Sequence, residues 1–190
     1  MLKQVLEIYE LLDDAHVSGD AAEQLLRSRG LRQIRVERIK GEKGSTDFIQ
    51  VVIPGVSGKK SGGKAPTLGI IGRLGGIGAR PERIGLVSDA DGAVAALSCA
   101  LKLADMAEKG DRLPGDVIVS THICPDAPTQ PHEPVPFMGS PVDMKTMNAQ
   151  EVSPEMDGVL SIHTTKGNRV INPPGFAISP TIKSGHIPKT

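Results

Sequence analysis

Histidine, cysteine and aspartate gather at three places where an apolar run of the chain ends. VIVSTHIC closes on His122 and Cys124, with Asp126 just beyond. LSIHTT carries His163 at the end of a second run. SDADGAVAAL sets Asp89 and Asp91 between the run IGLV and an alanine-rich stretch. If those runs are parallel strands, Asp89, His122 and His163 converge on one rim, where open α/β sheets bind ligands. A carboxylate and two imidazoles are a ligand set for Zn²⁺ or another divalent ion. Such an ion polarises a carbonyl and acidifies bound water. Asp91 or Asp126 would then act as the base or hydrogen-bond to a ligand. Each residue also has a plainer role. Asp89 and Asp91 can cap a helix, His122 can be a hydrogen-bonded structural histidine, and Cys124 can be a buried thiol, since nothing nearby in sequence clearly activates it. His132 and Glu133 sit in a proline-rich run that reads as a solvent-facing rim or lid.

A second constellation is GRLGGIGARPERIG, with Arg73, Gly75, Gly76 and Arg80. Its glycine spacing is not that of a dinucleotide fingerprint, and Pro81 follows where an apolar helix should start. The alternative is a tight turn whose backbone and arginines take a small carboxylate or phosphate. GVSGKKSGGK resembles a phosphate-binding loop through Gly58 and Gly63-Lys64, but Ala65 replaces the hydroxyl residue and Pro66 opens a strand. It reads as a mobile basic loop.

The elements that must hold these residues follow from periodicity. Leu2, Val5, Leu6, Tyr9 and Leu12 predict an amphipathic helix. Ser18 predicts the cap of a second, ending at Gly30. IRVERI and DFIQVVIP read as strands, then TLGIIG and the short run at 84–87. SDADGAVAALSCALKLADMAEKG is the clearest helix, with Ser88, Asp89 or Asp91 as its cap. DVIVSTHI is a buried strand. Residues 124–154 read as a proline-rich loop or covering arm, followed by strand pieces GVLSIHTT, NRVI and GFAISPTI. The expected fold is one α/β domain over residues 1–190, three layers αβα on a mostly parallel or mixed sheet, incomplete at the C-terminal side. A strand–helix–strand unit from Ile84 to His122 supplies its parallel pair.

Composition narrows the function classes. Twenty-two basic residues balance twenty-two acidic ones, so no long-range field favours nucleic acid or an anionic membrane. Aromatics are 2% of the chain, which removes the stacking platforms of single-strand binders. Two cysteines make no disulfide framework. No run reads as a signal peptide or membrane span. A cytoplasmic protein is expected.

The runs GEKGSTDFIQVVIPG, GRLGGIGARPERIGLVSDADGAVAALSCALKLADM and VSTHICPDAPTQPHEPVPFMGSPVDM together resemble a bacterial and archaeal family known as a domain of unknown function, DUF1177. The resemblance extends to about Ile182 and implies no established activity; it does imply a chain that stops early. A more distant similarity is to the zinc-dependent aminopeptidase and deacylase superfamily. There an aspartate that bridges two metals opens an Ala- and Gly-rich helix, and Asp89 is the best match with Asp91 next. The chain departs from that pattern in carrying His122 and Cys124 where a pair of glutamates stands, and Arg73-Leu74-Gly75 where a His-x-Asp motif stands.

The resulting expectation is a metal-dependent, hydrolase-like protein acting on a small amide or peptide. Asp89, His122 and His163 would hold the metal, with Asp91 and Asp126 as catalytic carboxylates. The alternatives are a non-catalytic binder of a small carboxylate at Arg73, Gly75, Gly76 and Arg80, and a homo-oligomer or subunit whose sheet a partner chain completes.

Overall fold

A computed structural model describes residues 1–73, 86, 90–124, 128–131, 133 and 137–163. Helix α1 (Leu2–Leu12) turns Ile8 and Leu12 inward. Helix α2 (Gly19–Ser28) starts where Ser18 Oγ accepts from Ala21 N at 3.4 Å and ends at Gly30, whose φ of +83° suits a residue without Cβ. Strands β1 (Gln33–Gly41) and β2 (Gly44–Ile53) form an antiparallel pair. Strand β3 (Leu68–Gly72), helix α3 (Asp91–Glu108) and strand β4 (Val117–Ile123) follow. The short pair β5 (Thr129–Gln130) and β6 (Phe137–Met138) precedes helix α4 (Met144–Glu151) and strand β7 (Gly158–Ile162).

The sheet order is β1-β2-β4-β3-β7. β2 meets β4 antiparallel, while β4, β3 and β7 run parallel. The sheet is therefore mixed, as the sequence predicts, and helices cover both of its faces. On one face Ile8, Leu12, Leu26, Leu97 and Leu101 pack with Ile49, Val51, Val117, Val119 and Ile123. On the other, Met147 of α4 packs with Val142 and Phe48. Every residue of β4 is buried, as a central strand covered on both sides requires.

Four expectations need correction. The parallel partner of β4 across α3 is β3, not the run at 84–87, of which only Leu86 is described. The residue before α3 is Ala90, with no side-chain cap; Asp91 lies in the first turn. The span 124–154 is not loop throughout, since α4 occupies its second half, capped by Asp143, which accepts from Thr146 N at 2.7 Å. The glycine-rich basic loop is tied down rather than loose. Buried Asp116 accepts from Gly55 N and Lys60 N, both at 2.9 Å, and Lys59 and Lys60 pair with Asp157 and Glu155. The segments NRVI and GFAISPTI lie outside the described residues.

Candidate active site at the strand ends

The three parallel strands end on one rim. Ile71 pairs with Ser120 on one side and Ser161 on the other. Carried two residues on, this register sets Arg73 level with His122 and His163, and level residues of parallel neighbours share a face. That face is the α4 side. The His122 ring lies against Phe48, centroids 5.2 Å apart.

His122 is 1% exposed, and its partner Glu151, the last residue of α4, is 0% exposed. Nδ1 of His122 lies 2.6 Å from Oε1 of Glu151. A carboxylate this deep stays ionised only when paired, and a second cation is present. Arg73 Nη1 sits 3.2 Å from Glu151 Oε2, an ion pair that falls short of hydrogen-bond geometry. The same guanidinium donates from Nη2 to Asn148 Oδ1 and lies 3.5 Å from Met144 Sδ. Met144, Asn148 and Glu151 are spaced i, i+4, i+7, one stripe of α4, so Arg73 runs along the helix face that carries the carboxylate.

Cys124 follows His122 by two residues and so lies on the same face of its strand. Its thiol is fully buried and sits 2.9 Å from Thr46 Oγ1, a contact in which the thiol is the donor when the Thr46 hydroxyl donates to Ile123 O at 3.1 Å. Burial alone would make His122 harder to protonate. The neighbouring Cys124 sulfur and Glu151 carboxylate outweigh it and raise the imidazole from 6.5 to about 9. Although Cys124 influences the ring this way, Nε2 has no hydrogen bond of acceptable geometry among the described residues. A buried nitrogen without a partner is costly, and here it belongs to a side chain flanked by both a thiol and a carboxylate.

Of the remaining predicted residues, only His163 and Asp91 are described. His163 is exposed and separated from His122 by the whole of β3, roughly 10 Å between outer strands. Asp91 is exposed at the start of α3. Asp89, Asp126, Gly75, Gly76 and Arg80 lie outside the described residues. Among the described residues no three His, Cys, Asp or Glu side chains cluster closely enough to hold a metal ion. No helix there is long and apolar enough to cross a membrane.

Sequence reasoning missed Glu151 and undervalued Cys124. A usable signal for the first was Asp143, a cap residue, followed by a carboxylate four residues after Met147 on what becomes the packed face. The second needed only the two-residue period of a strand, which puts His122 and Cys124 side by side.

The rim also receives the start of α3. A Cβ on Gly72 would come within 2.1 Å of Gly92 O, and one on Gly92 within 2.2 Å of Arg73 O. The two glycines let the first turn of α3 press directly onto the end of β3, beside the residue that pairs with Glu151.

Comparison with known proteins gives a family without an assigned activity. No curated protein matches the chain. Residues 37–190 match the family model described as a protein of unknown function, DUF1177. That match takes in β2 to β7 and with them His122, Cys124, Arg73 and Glu151, and so the chain belongs to the DUF1177 family.

Proposed function

We propose that this protein is a hydrolase-like enzyme acting on a small amide or peptide bond, with Cys124 as nucleophile, His122 as its base and Glu151 as the group that orients the imidazole. The observation that carries this reading is the buried series of carboxylate, imidazole and thiol, in which Nδ1 is engaged by Glu151 and Nε2 is left without a partner. Nucleophile, base and orienter in that sequence are the recurring parts of acyl transfer on unrelated folds. In the neutral form of His122, which grows as pH rises toward about 9, the thiol proton passes to Nε2 and the sulfur attacks the carbonyl carbon. The C–N bond breaks and the amine leaves with the proton from His122. Water then attacks the thioester, giving a proton to His122 that returns to the departing thiolate.

A second reading keeps the metal. Proteins orient metal-ligating imidazoles by pairing the other ring nitrogen with a carboxylate, as Glu151 pairs with His122. Zn²⁺ held by Asp89, His122 and His163 would fit the likeness to the zinc-dependent aminopeptidase and deacylase superfamily. A non-catalytic carboxylate binder is less supported, because the Arg73 guanidinium is engaged on α4.

Full burial of Cys124 sets the terms of the test, since a structural buried thiol is inert. Purified protein is treated with iodoacetamide and both cysteines are followed by peptide mass spectrometry. Hydrolysis of chromogenic amino-acid amides is assayed in parallel with and without EDTA. The thiol reading expects Cys124 to alkylate faster than the half-buried Cys99, and hydrolysis to vanish in Cys124→Ser while surviving EDTA. A Cys124 slower than Cys99 in the folded protein removes that reading. Stoichiometric zinc lost in both Asp89→Ala and His163→Ala puts the metal in its place.

A further inference from the structure

We propose that Arg73 is a positioning residue that sets the charge and direction of the His122–Cys124 pair through Glu151. The inference rests on the thiol reading above and adds a residue that, among the described residues, is linked to the imidazole through Glu151 and has no hydrogen bond or ion pair of its own with imidazole or thiol.

A fully buried carboxylate beside a single imidazole has a cheap escape from its charge. The proton between them can sit on either partner, leaving two neutral groups and no fixed direction at Nε2. A second, permanently charged neighbour closes that route. Arginine stays protonated at every accessible pH, and Arg73 lies 3.2 Å from the oxygen of Glu151 that His122 does not use. Glu151 offers one oxygen to Arg73 and the other to His122, and the oxygen facing the ring keeps a proton on Nδ1. When the imidazole gives up its second proton, the nitrogen freed is therefore Nε2, the one not turned to Glu151.

The arginine is itself held at both ends. Its backbone N–H donates to Ile162 O at 2.8 Å, joining β3 to β7. Its guanidinium lies against Met144, Asn148 and Glu151 along α4. A side chain that only filled space at the rim would not need this alignment with one stripe of the helix. Nor would it need a glycine at position 72, which lets α3 seat against the end of β3 and so fixes the backbone from which Arg73 departs.

The test compares wild type, Arg73→Met and Arg73→Lys by the rate of Cys124 alkylation with iodoacetamide at pH 7, and by the ¹⁵N shifts of the His122 ring at pH 10, above the value of about 9 at which the imidazole becomes neutral. Arg73→Met is expected to slow alkylation at least tenfold and to move the His122 Nδ1 and Nε2 signals toward a tautomer mixture. Arg73→Lys restores a positive charge without the planar fork. It is expected to recover more than a third of the wild-type rate and the wild-type ring signals. A merely structural arginine would lower the melting temperature of both variants while leaving rate and ring signals of the folded fraction unchanged, and that result overturns the proposal. Equal loss in the lysine and methionine variants also overturns it. If Arg73→Met does not fold, Asn148→Ala decides. It releases one guanidinium nitrogen and is expected to slow alkylation twofold to fivefold; an unchanged rate overturns the proposal. The failures are separable: an inert Cys124 in wild type removes the thiol reading itself, whereas a reactive Cys124 indifferent to Arg73 removes only the role of Arg73.

Discussion

Replacing Glu151 with glutamine removes one charge from the centre of the site and leaves its shape. The consequence can be worked from the burial and the pairing. An imidazole that titrates at about 9 in the folded chain instead of 6.5 corresponds to about 3 kcal/mol of folding free energy. The sign follows from the direction. The folded state holds the proton more tightly than the unfolded chain, so the contribution is complete below pH 6.5. It declines as pH rises through 6.5 and is lost above about 9. Between pH 6.0 and 8.5 the wild type should lose about 2 kcal/mol from this source. In Glu151→Gln one of the two groups that raise His122 is neutral, and the slope over the same window should fall to about half or less. At pH 6 the variant should also be less stable by about 2 kcal/mol, since two charge-assisted contacts become ordinary ones.

The chain has no tryptophan and one tyrosine, so unfolding in urea is best followed by circular dichroism at 222 nm. A change of about 2 kcal/mol is about 1 M in the urea midpoint at the usual dependence for a domain of this size. Stopping at pH 8.5 keeps clear of Cys99, whose thiol burial pushes upward. Parallel stability curves for wild type and variant, displaced but with equal slope across the window, would refute the claim that Glu151 sustains the charge on His122.

Three further outcomes test the frame that carries the site. Gly72→Ala puts a methyl 2.1 Å from Gly92 O and 2.8 Å from Ala96 Cβ, so it should cost about 2–3 kcal/mol by overpacking and slow Cys124 alkylation as Arg73 shifts; thermal melts with the alkylation assay check both. Asp47 is buried and accepts from Gly19 N at 2.8 Å and from Arg38 at 2.6 Å and 2.8 Å. Burial pushes its carboxyl upward, but Arg38 and the Gly19 amide outweigh this and hold it below the usual range. Its contribution is therefore present above pH 4 and lost as pH falls through its lowered value. Asp47→Asn should lose about 2 kcal/mol at pH 7 and show a shallower decline in acid, read from urea midpoints at pH 7 and pH 3. Gly30→Ala meets no atom within 4 Å but must adopt a φ of +83°, so it should cost about 1 kcal/mol from backbone strain alone, measurable as a small fall in melting temperature with thiol reactivity unchanged.

What was legible in the sequence was local. α1, α3 and β4 announce themselves by period and composition, because each buries a face whose spacing is set within a dozen residues. α4 does not. It follows a proline-rich run, carries Thr146 and Asn148, and is held by a few side chains against Phe48 and by Arg73 rather than by a broad apolar face. The site divides along the same line. His122 and Cys124 are neighbours by the period of a strand, whereas Glu151 reaches His122 across 29 positions and Arg73 across 78. No window along the chain contains those pairings. They exist because α4 packs back over β4 and because parallel register sets the end of β3 level with the end of β4. The residue that could have exposed them is Glu151, four positions after the buried Met147. A carboxylate at a core-facing position of a short helix cannot be left alone, and asking which cation answers it leads to the arginine and the histidine together. In a family with no assigned activity, that question about one buried charge is a sharper guide to the site than the exposed imidazole of His163 or the glycines of the rim.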